Sequence, residues 1–180
     1  MNTLNHVDAS VRPSRPWCLF QVAGKTYAIG LESVVEVVEI ERLVRFPHSP
    51  PRVLGLCTLR REVLPVVGLD PSETADRLEG GGQRLVLILR TSQGNWAIQV
   101  SAEGTSVAEG VLEGPSPLPG SNAPWLTFQG FVRRGETSCP VIDPEAMWKH
   151  VRGGVESYYA GRWVDDIPAQ PASRRAACSA

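Results

Sequence analysis

The stretch VLGLCTLRREVLPVVGL, residues 53–69, decides the fold of this chain. Two apolar runs rich in valine and leucine flank Arg60 and Arg61, and this pattern predicts a β-hairpin with the two arginines at its tip. Working outward, the same pattern of strand-like runs separated by turn residues recurs. It predicts three further hairpins, formed by residues 17–23 with 26–30, 84–90 with 96–100, and 126–133 with 137–142, and one more strand over 107–112.

Two segments predict short helices beside these strands. Residues 31–38, LESVVEVV, fit both a helical face and a strand, so we expect a short helical turn that runs into a strand ending near Phe46. Asp143 followed by Pro144 is the start signal of a helix over residues 143–151. Many short strands with frequent turns and two brief helices favour an all-β barrel architecture.

The domain organisation follows from where the strand pattern is interrupted. Residues 1–16 are predicted to form a flexible arm and 17–151 the folded domain, with 152–180 as a partly disordered tail. The polar segment 70–83 ends in three glycines and is predicted to divide the strands into two small barrels. Each barrel is too small to be stable alone, so the two are expected to share a core.

Composition excludes several classes of function. The chain has 180 residues, 42% of them hydrophobic, and a net charge of −1, which gives no reason to expect nucleic acid or an anionic membrane as partner. The longest apolar runs are far too short for direct membrane insertion. The four cysteines have neither disulfide nor zinc spacing. We therefore expect a cytoplasmic protein with reduced thiols and without metal or cofactor.

A cysteine enzyme is one alternative. His48 lies nine residues before Cys57, and a nucleophilic pair would need these side chains in hydrogen-bond contact, which the sequence does not establish. Cys139 is a second candidate thiol. The opposing interpretation is that Cys57 is a small apolar residue of a buried strand.

The residues typical of a binding surface lie at the predicted hairpin tip. Arg60 and Arg61 place two guanidinium groups on a β-turn, where they could bind a partner's carboxylate in a bidentate way. The alternative is a solvated turn. Glu36, an acid among valines, is either the outward position of a half-buried strand or a polar contact at a groove rim.

Residues 27–69 resemble the first half of CheW-like proteins. Those proteins have a basic residue before I-P-x-x-P, then a G-x-x-N-L-R-G hairpin and a P-V-V-D-L strand. The matching residues here are Val34, Glu36, Arg45, Phe46, Pro47, Pro50, Gly55, Leu59, Arg60, Pro65, Val66, Val67 and Leu69. The resemblance covers about residues 17–150 and is more specific in its first half.

The resemblance implies an all-β fold of two SH3-like five-stranded barrels packed on a shared core, with short helices. It also implies a non-catalytic adaptor that couples chemoreceptors to a CheA-type histidine kinase. Such a protein binds the kinase's regulatory domain through barrel ends and the receptor's cytoplasmic helical tip in the groove between barrels. Carried over, Arg60 and Glu36 face the receptor with Val34 close by. Three further residues are candidates for apolar contact, with a core position as the alternative: Leu56, Leu59 and Val63.

Departures from the family pattern predict a divergent adaptor. Thr58 replaces the family's Asn, Gly68 its Asp, and Arg61 the Gly that follows Leu-Arg. If that position has a positive φ, an arginine there costs on the order of 1 kcal/mol or changes the turn. We expect the altered tip to affect which receptor the protein binds more than it affects the fold.

A second alternative function is a tandem SH3-like module that binds extended peptides. It predicts an exposed aromatic groove formed by Trp96, Trp125 and Trp148. The opposing interpretation is that these rings pack in the core.

Overall fold

A computed structural model describes residues 13–45, 52–70, 83–114 and 126–162. Within these ranges the chain forms strands throughout its first three quarters and one α-helix near the end. In chain order the elements are β1 (Arg15–Val22), β2 (Lys25–Gly30), a 3-10 turn (Leu31–Ser33), β3 (Val34–Ile40), β4 (Val53–Leu59), β5 (Glu62–Val67), β6 (Arg84–Thr91), β7 (Gly94–Val100), β8 (Ser106–Gly110), β9 (Leu112–Glu113), β10 (Phe128–Arg134), β11 (Thr137–Ile142) and α1 (Pro144–Arg162).

The strands form two sheets that each close into a barrel. The first barrel has the order β8-β1-β2-β11-β10-β9, and the second has the order β3-β6-β7-β5-β4. In the first, the segment formed by β8 and β9 pairs with β1 at one end and β10 at the other. In the second, the chain after β3 bends so that Val44 exchanges two backbone hydrogen bonds of 2.7 Å with Leu56 of β4. The predicted all-β fold of two SH3-like barrels is confirmed.

The two barrels repeat one pattern of pairing. Hairpin β4–β5 corresponds to hairpin β10–β11, and both have a bulge at a glycine, Gly55 and Gly130. Each hairpin then makes a parallel pair with a strand that carries alanine at the contact, Ala97 for β5 and Ala28 for β11. A Cβ on Gly55 would lie 2.6 Å from the Val44 carbonyl oxygen, so glycine is what permits the closing contact.

The predicted division near residues 70–83 is not the division between the barrels. Strands β5 and β6 flank that segment, yet both belong to the second barrel. The first barrel instead combines the N-terminal hairpin β1–β2 with strands β8 to β11. The physical reason is the parallel pairing of β5 with β7, which keeps the chain in one sheet until Val100.

Three apolar clusters form the core. One fills the first barrel and includes Trp17 and Val141, and another fills the second barrel and includes Leu54 and Ile88. The third and largest lies between the barrels and combines residues of both with α1. Strands β1 and β6 therefore have apolar side chains on both faces, which explains their continuous apolar sequences. The predicted shared core is present.

Helix α1 starts as predicted and ends later. The Asp143 carboxylate accepts a 3.0 Å hydrogen bond from the Ala146 N–H, so Asp143 is the N-cap and Pro144 the first helical residue. The helix continues beyond the predicted end at residue 151 to Arg162. Val155 packs against the shared core, and this contact, which is not local in sequence, extends the helix. Residues 163–180 of the predicted tail and 1–12 of the predicted arm lie outside the described residues.

Candidate partner-binding site

The tip of hairpin β4–β5 is a two-residue turn with an unusual backbone. Leu59 pairs with Glu62, and the intervening Arg60 and Arg61 have φ values of 48° and 73°. Positive φ at both central positions is the requirement of a type I′ turn, which normally takes Asn and Gly. For a residue with a Cβ this conformation costs roughly 1–2 kcal/mol. The sequence therefore carries two bulky residues where the backbone favours small ones.

Arg60 makes an ion pair across the end of the second barrel. Its Nη2 donates a hydrogen bond of 2.9 Å to Oε2 of Glu36 in β3. The Arg60 side chain is 76% exposed and that of Glu36 is 23% exposed. Two residues that the resemblance assigns to the same surface are therefore in direct contact.

Glu36 is on the barrel side of its strand, so the interpretation that it faces outward is wrong. It pairs with Ile88, whose side chain fills the second barrel, and alternates with Val38 and Ile40, which also pack there. A bulge between Val34 and Glu36 inserts one residue into the strand and shifts the alternation. The carboxylate consequently lies at the barrel's end, where Arg60 covers it.

A second polar contact ties the hairpin to its neighbour. Asn95, at the start of β7, donates from Nδ2 to both carboxylate oxygens of Glu62, the shorter distance being 3.1 Å. Contacts on both sides therefore hold the turn, to β3 through Arg60 and to β7 through Glu62. Arg61 itself is exposed, and within the described ranges it has no hydrogen-bond or ion-pair partner.

The apolar candidate residues divide between core and surface. Val34 packs against the shared core, and Leu59 packs against the interior of the second barrel, so the core alternative holds for Leu59. Val63 is 58% exposed, so for Val63 the core alternative is wrong. Leu56 is half-buried on the outer face of β4.

Leu56 and Val63 belong to an apolar outer face that sequence reasoning identified only in part. Cross-strand pairing sets Leu56 opposite Pro65 and Thr58 opposite Val63, so all four side chains project from the same face. Val44 joins them through its bridge to Leu56 and is 53% exposed. The alternation of Pro65 with Val63 in the sequence could have placed Pro65 on this face. No local sequence feature indicates that Val44 contacts Leu56.

At the corresponding described positions, the first barrel has no equivalent of the Arg60–Glu36 pair. The corresponding turn is Gly135 and Glu136, with Gly135 supplying a φ of 58°. Glu36 corresponds to Ser106, because Leu19 of β1 pairs with Ser106 as Ile88 of β6 pairs with Glu36. The charged arrangement therefore distinguishes one barrel end from the other.

The described residues offer no reactive centre of the kinds considered above. Burial raises the pKa of the Cys57 thiol, and the same cause raises the pKa of Cys139. A nucleophilic cysteine needs the opposite shift. His48 lies outside the described residues. Across the part of the chain that the structure covers, no group of three His, Cys, Asp or Glu side chains is arranged as metal ligands.

The tryptophans of the predicted peptide groove have a different role. Trp96 is fully buried, and its ring stacks on that of Trp148 with centroids 5.5 Å apart. Both rings belong to the shared core or pack against it. Trp125 lies outside the described residues. Trp96 and Trp148 therefore do not form an open aromatic groove. No helix in the described ranges is long and apolar enough to span a membrane.

Comparisons with known proteins agree with this architecture. A family model described as a CheW-like domain matches residues 16–152. The chemotaxis protein CheW of Treponema pallidum (strain Nichols) is 26% identical over 135 residues, which cover 69% of this chain and 76% of that protein. The chemotaxis protein CheW of Bacillus subtilis (strain 168) is 22% identical over 141 residues, covering 77% and 90%.

A solved structure is similar in fold. The crystal structure of the scaffolding protein TtCheW from Thermoanaerobacter tengcongensis superposes with a TM-score of 0.60 and 16% sequence identity. The match covers 81% of this chain and 93% of that one. At this identity the likeness concerns the fold alone.

Proposed function

Because this chain belongs to the CheW-like family, we propose that it is a non-catalytic cytoplasmic adaptor that couples chemoreceptor-type proteins to a CheA-type histidine kinase. One rigid body with two separate binding surfaces raises the effective concentration of each partner for the other. Receptor signals then reach the kinase by changing the relative positions or populations at these interfaces. Neither nucleic acid nor membrane insertion has a part in this function.

The observation that carries the proposal is the contact between Arg60 and Glu36. These residues are 24 positions apart, and their side chains meet at 2.9 Å at the exposed end of the second barrel. In the proposal this end faces the receptor's helical tip, with Val34 nearby and Leu56 and Val63 adding apolar contact. An exposed guanidinium beside apolar surface suits a helix that presents both carboxylates and apolar side chains.

The kinase side is proposed to use barrel ends against the kinase's regulatory domain. Among the described residues the Arg60–Glu36 pair has no counterpart in the first barrel, since Ser106 and Gly135 occupy the corresponding positions there. The first barrel's own ion pair, Arg133 with Glu113, instead joins β10 to β9. Different chemistry at the two ends favours two different partners for one adaptor. This asymmetry supports coupling more than binding of a single ligand.

The alternatives have less support. A peptide-binding module would need accessible aromatic rings, whereas Trp96 is fully buried under Trp148. A cysteine enzyme would need a thiol with a lowered pKa, whereas burial raises the pKa of Cys57. Neither alternative explains the charged hairpin tip.

The test is co-purification with a CheA-type kinase and a chemoreceptor cytoplasmic fragment from the same cell. We expect the wild-type chain to bind both, and Arg60→Glu to weaken receptor binding while kinase binding stays nearly unchanged. Arg134→Glu reverses an exposed charge beside the hairpin turn of the other barrel, so it is the matched control for receptor binding, which it should leave unchanged. If the wild-type chain binds neither partner, the proposed function is wrong; if only Arg60→Glu is without effect, the site assignment is wrong.

A further inference from the structure

Arg61 has a backbone conformation that favours glycine. Its φ of 73° lies in the left-handed region, and the residue before it, Arg60, has a φ of 48°. Two consecutive residues with side chains in this region are uncommon because the Cβ crowds the following carbonyl. Strained backbone of this kind persists at sites that bind partners.

The two arginines differ in what their side chains contribute to the fold. Arg60 has the ion pair with Glu36, which stabilises its position. Arg61 is exposed and makes no hydrogen bond or ion pair within the described ranges. No side-chain contact among the described residues therefore compensates for the strain of the Arg61 backbone.

The first barrel shows that this hairpin closes without an arginine. There the corresponding two-residue turn is Gly135 followed by Glu136, and Gly135 takes the positive φ. Glu136 corresponds to Arg61 but has the opposite charge. The architecture therefore does not require a cation at this position.

The surroundings of Arg61 suit a contact with a protein surface. The turn is held on one side by the Arg60–Glu36 pair and on the other by the contact between Asn95 and Glu62. Because the backbone of the turn is already ordered, binding through this group costs side-chain entropy and little backbone entropy. Val63, two residues away, adds exposed apolar surface on the same hairpin.

From these observations we infer that Arg61 is a partner-contact residue, which binds a carboxylate on the receptor-type helical tip beside the contact made by Arg60. This inference rests on the proposed function and specifies the chemistry of the partner at the same site. A guanidinium group binds a carboxylate in a bidentate way, which favours a partner with an Asp or Glu next to apolar residues on its helical surface. The strained turn presents this charge to the partner.

The experiment compares the wild-type chain with Arg61→Gly and Arg61→Asn. Both substitutions suit a positive φ and remove the charge. We expect the melting temperature of Arg61→Gly to rise by about 2–4 °C. Its Kd for a receptor cytoplasmic fragment should rise roughly tenfold, with Arg61→Asn similar in binding. The Kd for the kinase regulatory domain should not change.

Arg134→Gln is the matched control, since it removes one exposed positive charge beside the turn of the other barrel. It should leave receptor binding unchanged. Raising the salt concentration should weaken the wild-type complex more than the Arg61→Gly complex.

The outcomes separate this inference from the proposed function. If wild type binds both partners and Arg61→Gly binds the receptor fragment equally well, the inference is overturned and the adaptor function stands. A fall in melting temperature, or equal loss of both partners, would also overturn it, because Arg61 would then support the fold. If the wild-type chain binds neither partner, the proposed function fails and the inference with it.

Discussion

The guanidinium of Arg60 and the carboxylate of Glu36 meet at 2.9 Å and join the tip of one hairpin to the bulged start of another strand. The contact crosses the end of the second barrel, where Glu36 projects from the barrel side of β3 and Arg60 covers it. Because the Arg60 side chain is 76% exposed, water screens most of the attraction. The pair therefore orders the barrel end without being a major source of stability.

This weak coupling gives the first prediction. In a double-mutant cycle of Arg60→Ala and Glu36→Gln, the coupling free energy from urea unfolding should be below about 1 kcal/mol. The guanidinium is then available to exchange its partner on binding. A coupling above about 2 kcal/mol would instead make the pair structural. In that case, loss of receptor binding by Arg60→Glu could reflect a damaged barrel end.

The second prediction concerns the glycines that let each barrel close. Gly55→Ala would bring a Cβ to 2.6 Å from the Val44 carbonyl oxygen, and Gly130→Ala would bring one against the Glu113 carbonyl oxygen. Both positions also have positive φ, 152° and 155°. Since each substitution adds a backbone clash to the conformational strain, we expect a loss of unfolding free energy of about 2–4 kcal/mol for each.

Gly94→Ala is the control for this clash. Gly94 has a φ of 119°, but a Cβ there would meet nothing within 4 Å. It should therefore cost only the conformational strain, about 1–2 kcal/mol. Equal losses for the Gly55 and Gly94 substitutions in urea unfolding would show that the closing contact does not require glycine.

Local features of the sequence predicted the hairpins. The division between the barrels was not predicted, because it depends on pairing between strands that are distant in the chain. The turn residues and apolar runs of β4 and β5 lie next to each other in the chain, so their pairing follows from the pattern. The parallel pairing of β5 with β7 joins distant segments, and without it a glycine-rich segment looks like a boundary. A usable signal existed: glycine and proline ten residues apart recur as Gly55 with Pro65 and Gly130 with Pro140.

The sequence named candidate residues for the site, and their geometry came only from the structure. Family resemblance, not spacing, brought Arg60 and Glu36 together, because nothing in the sequence joins residues 24 positions apart. The predicted outward orientation of Glu36 was wrong because of a β-bulge. One extra residue after Val34 reverses which side chains face the barrel. The positive φ at Arg60 and Arg61 arises from the tight connection of two twisted strands.

The third prediction tests which part of α1 stabilises the fold. Met147 is fully buried in the shared core, whereas Lys149 on the same helix is exposed. Met147→Ala should lower the free energy of unfolding by about 2–5 kcal/mol, because it removes buried apolar volume from between the barrels. Lys149→Ala should change it by less than about 0.5 kcal/mol. Comparable losses in thermal or urea unfolding would mean that the helix does not pack on the core.

The fourth prediction concerns the thiols. Cys18, Cys57 and Cys139 are buried, and desolvation raises the pKa of each above its ordinary range. The native state therefore favours the protonated thiols. Above about pH 8.5, the ordinary thiol pKa, the thiols of the unfolded chain ionise before those of the native protein. The native state loses stability over this range, up to the higher native pKa values. The free energy of unfolding should fall between pH 8 and about 10, and replacing these cysteines with alanine should reduce that fall.

The thiolate is the reacting species, so the same burial should protect these cysteines from iodoacetamide. In a Cys178→Ser background, which removes the thiol outside the described residues, native protein at neutral pH should react roughly a hundredfold more slowly than protein unfolded in urea. Mass spectrometry of the alkylated peptides assigns the rate to each cysteine. Rapid modification of folded Cys57 or Cys139 at pH 7 would require a lowered pKa, and would restore the cysteine enzyme as a competitor to the adaptor.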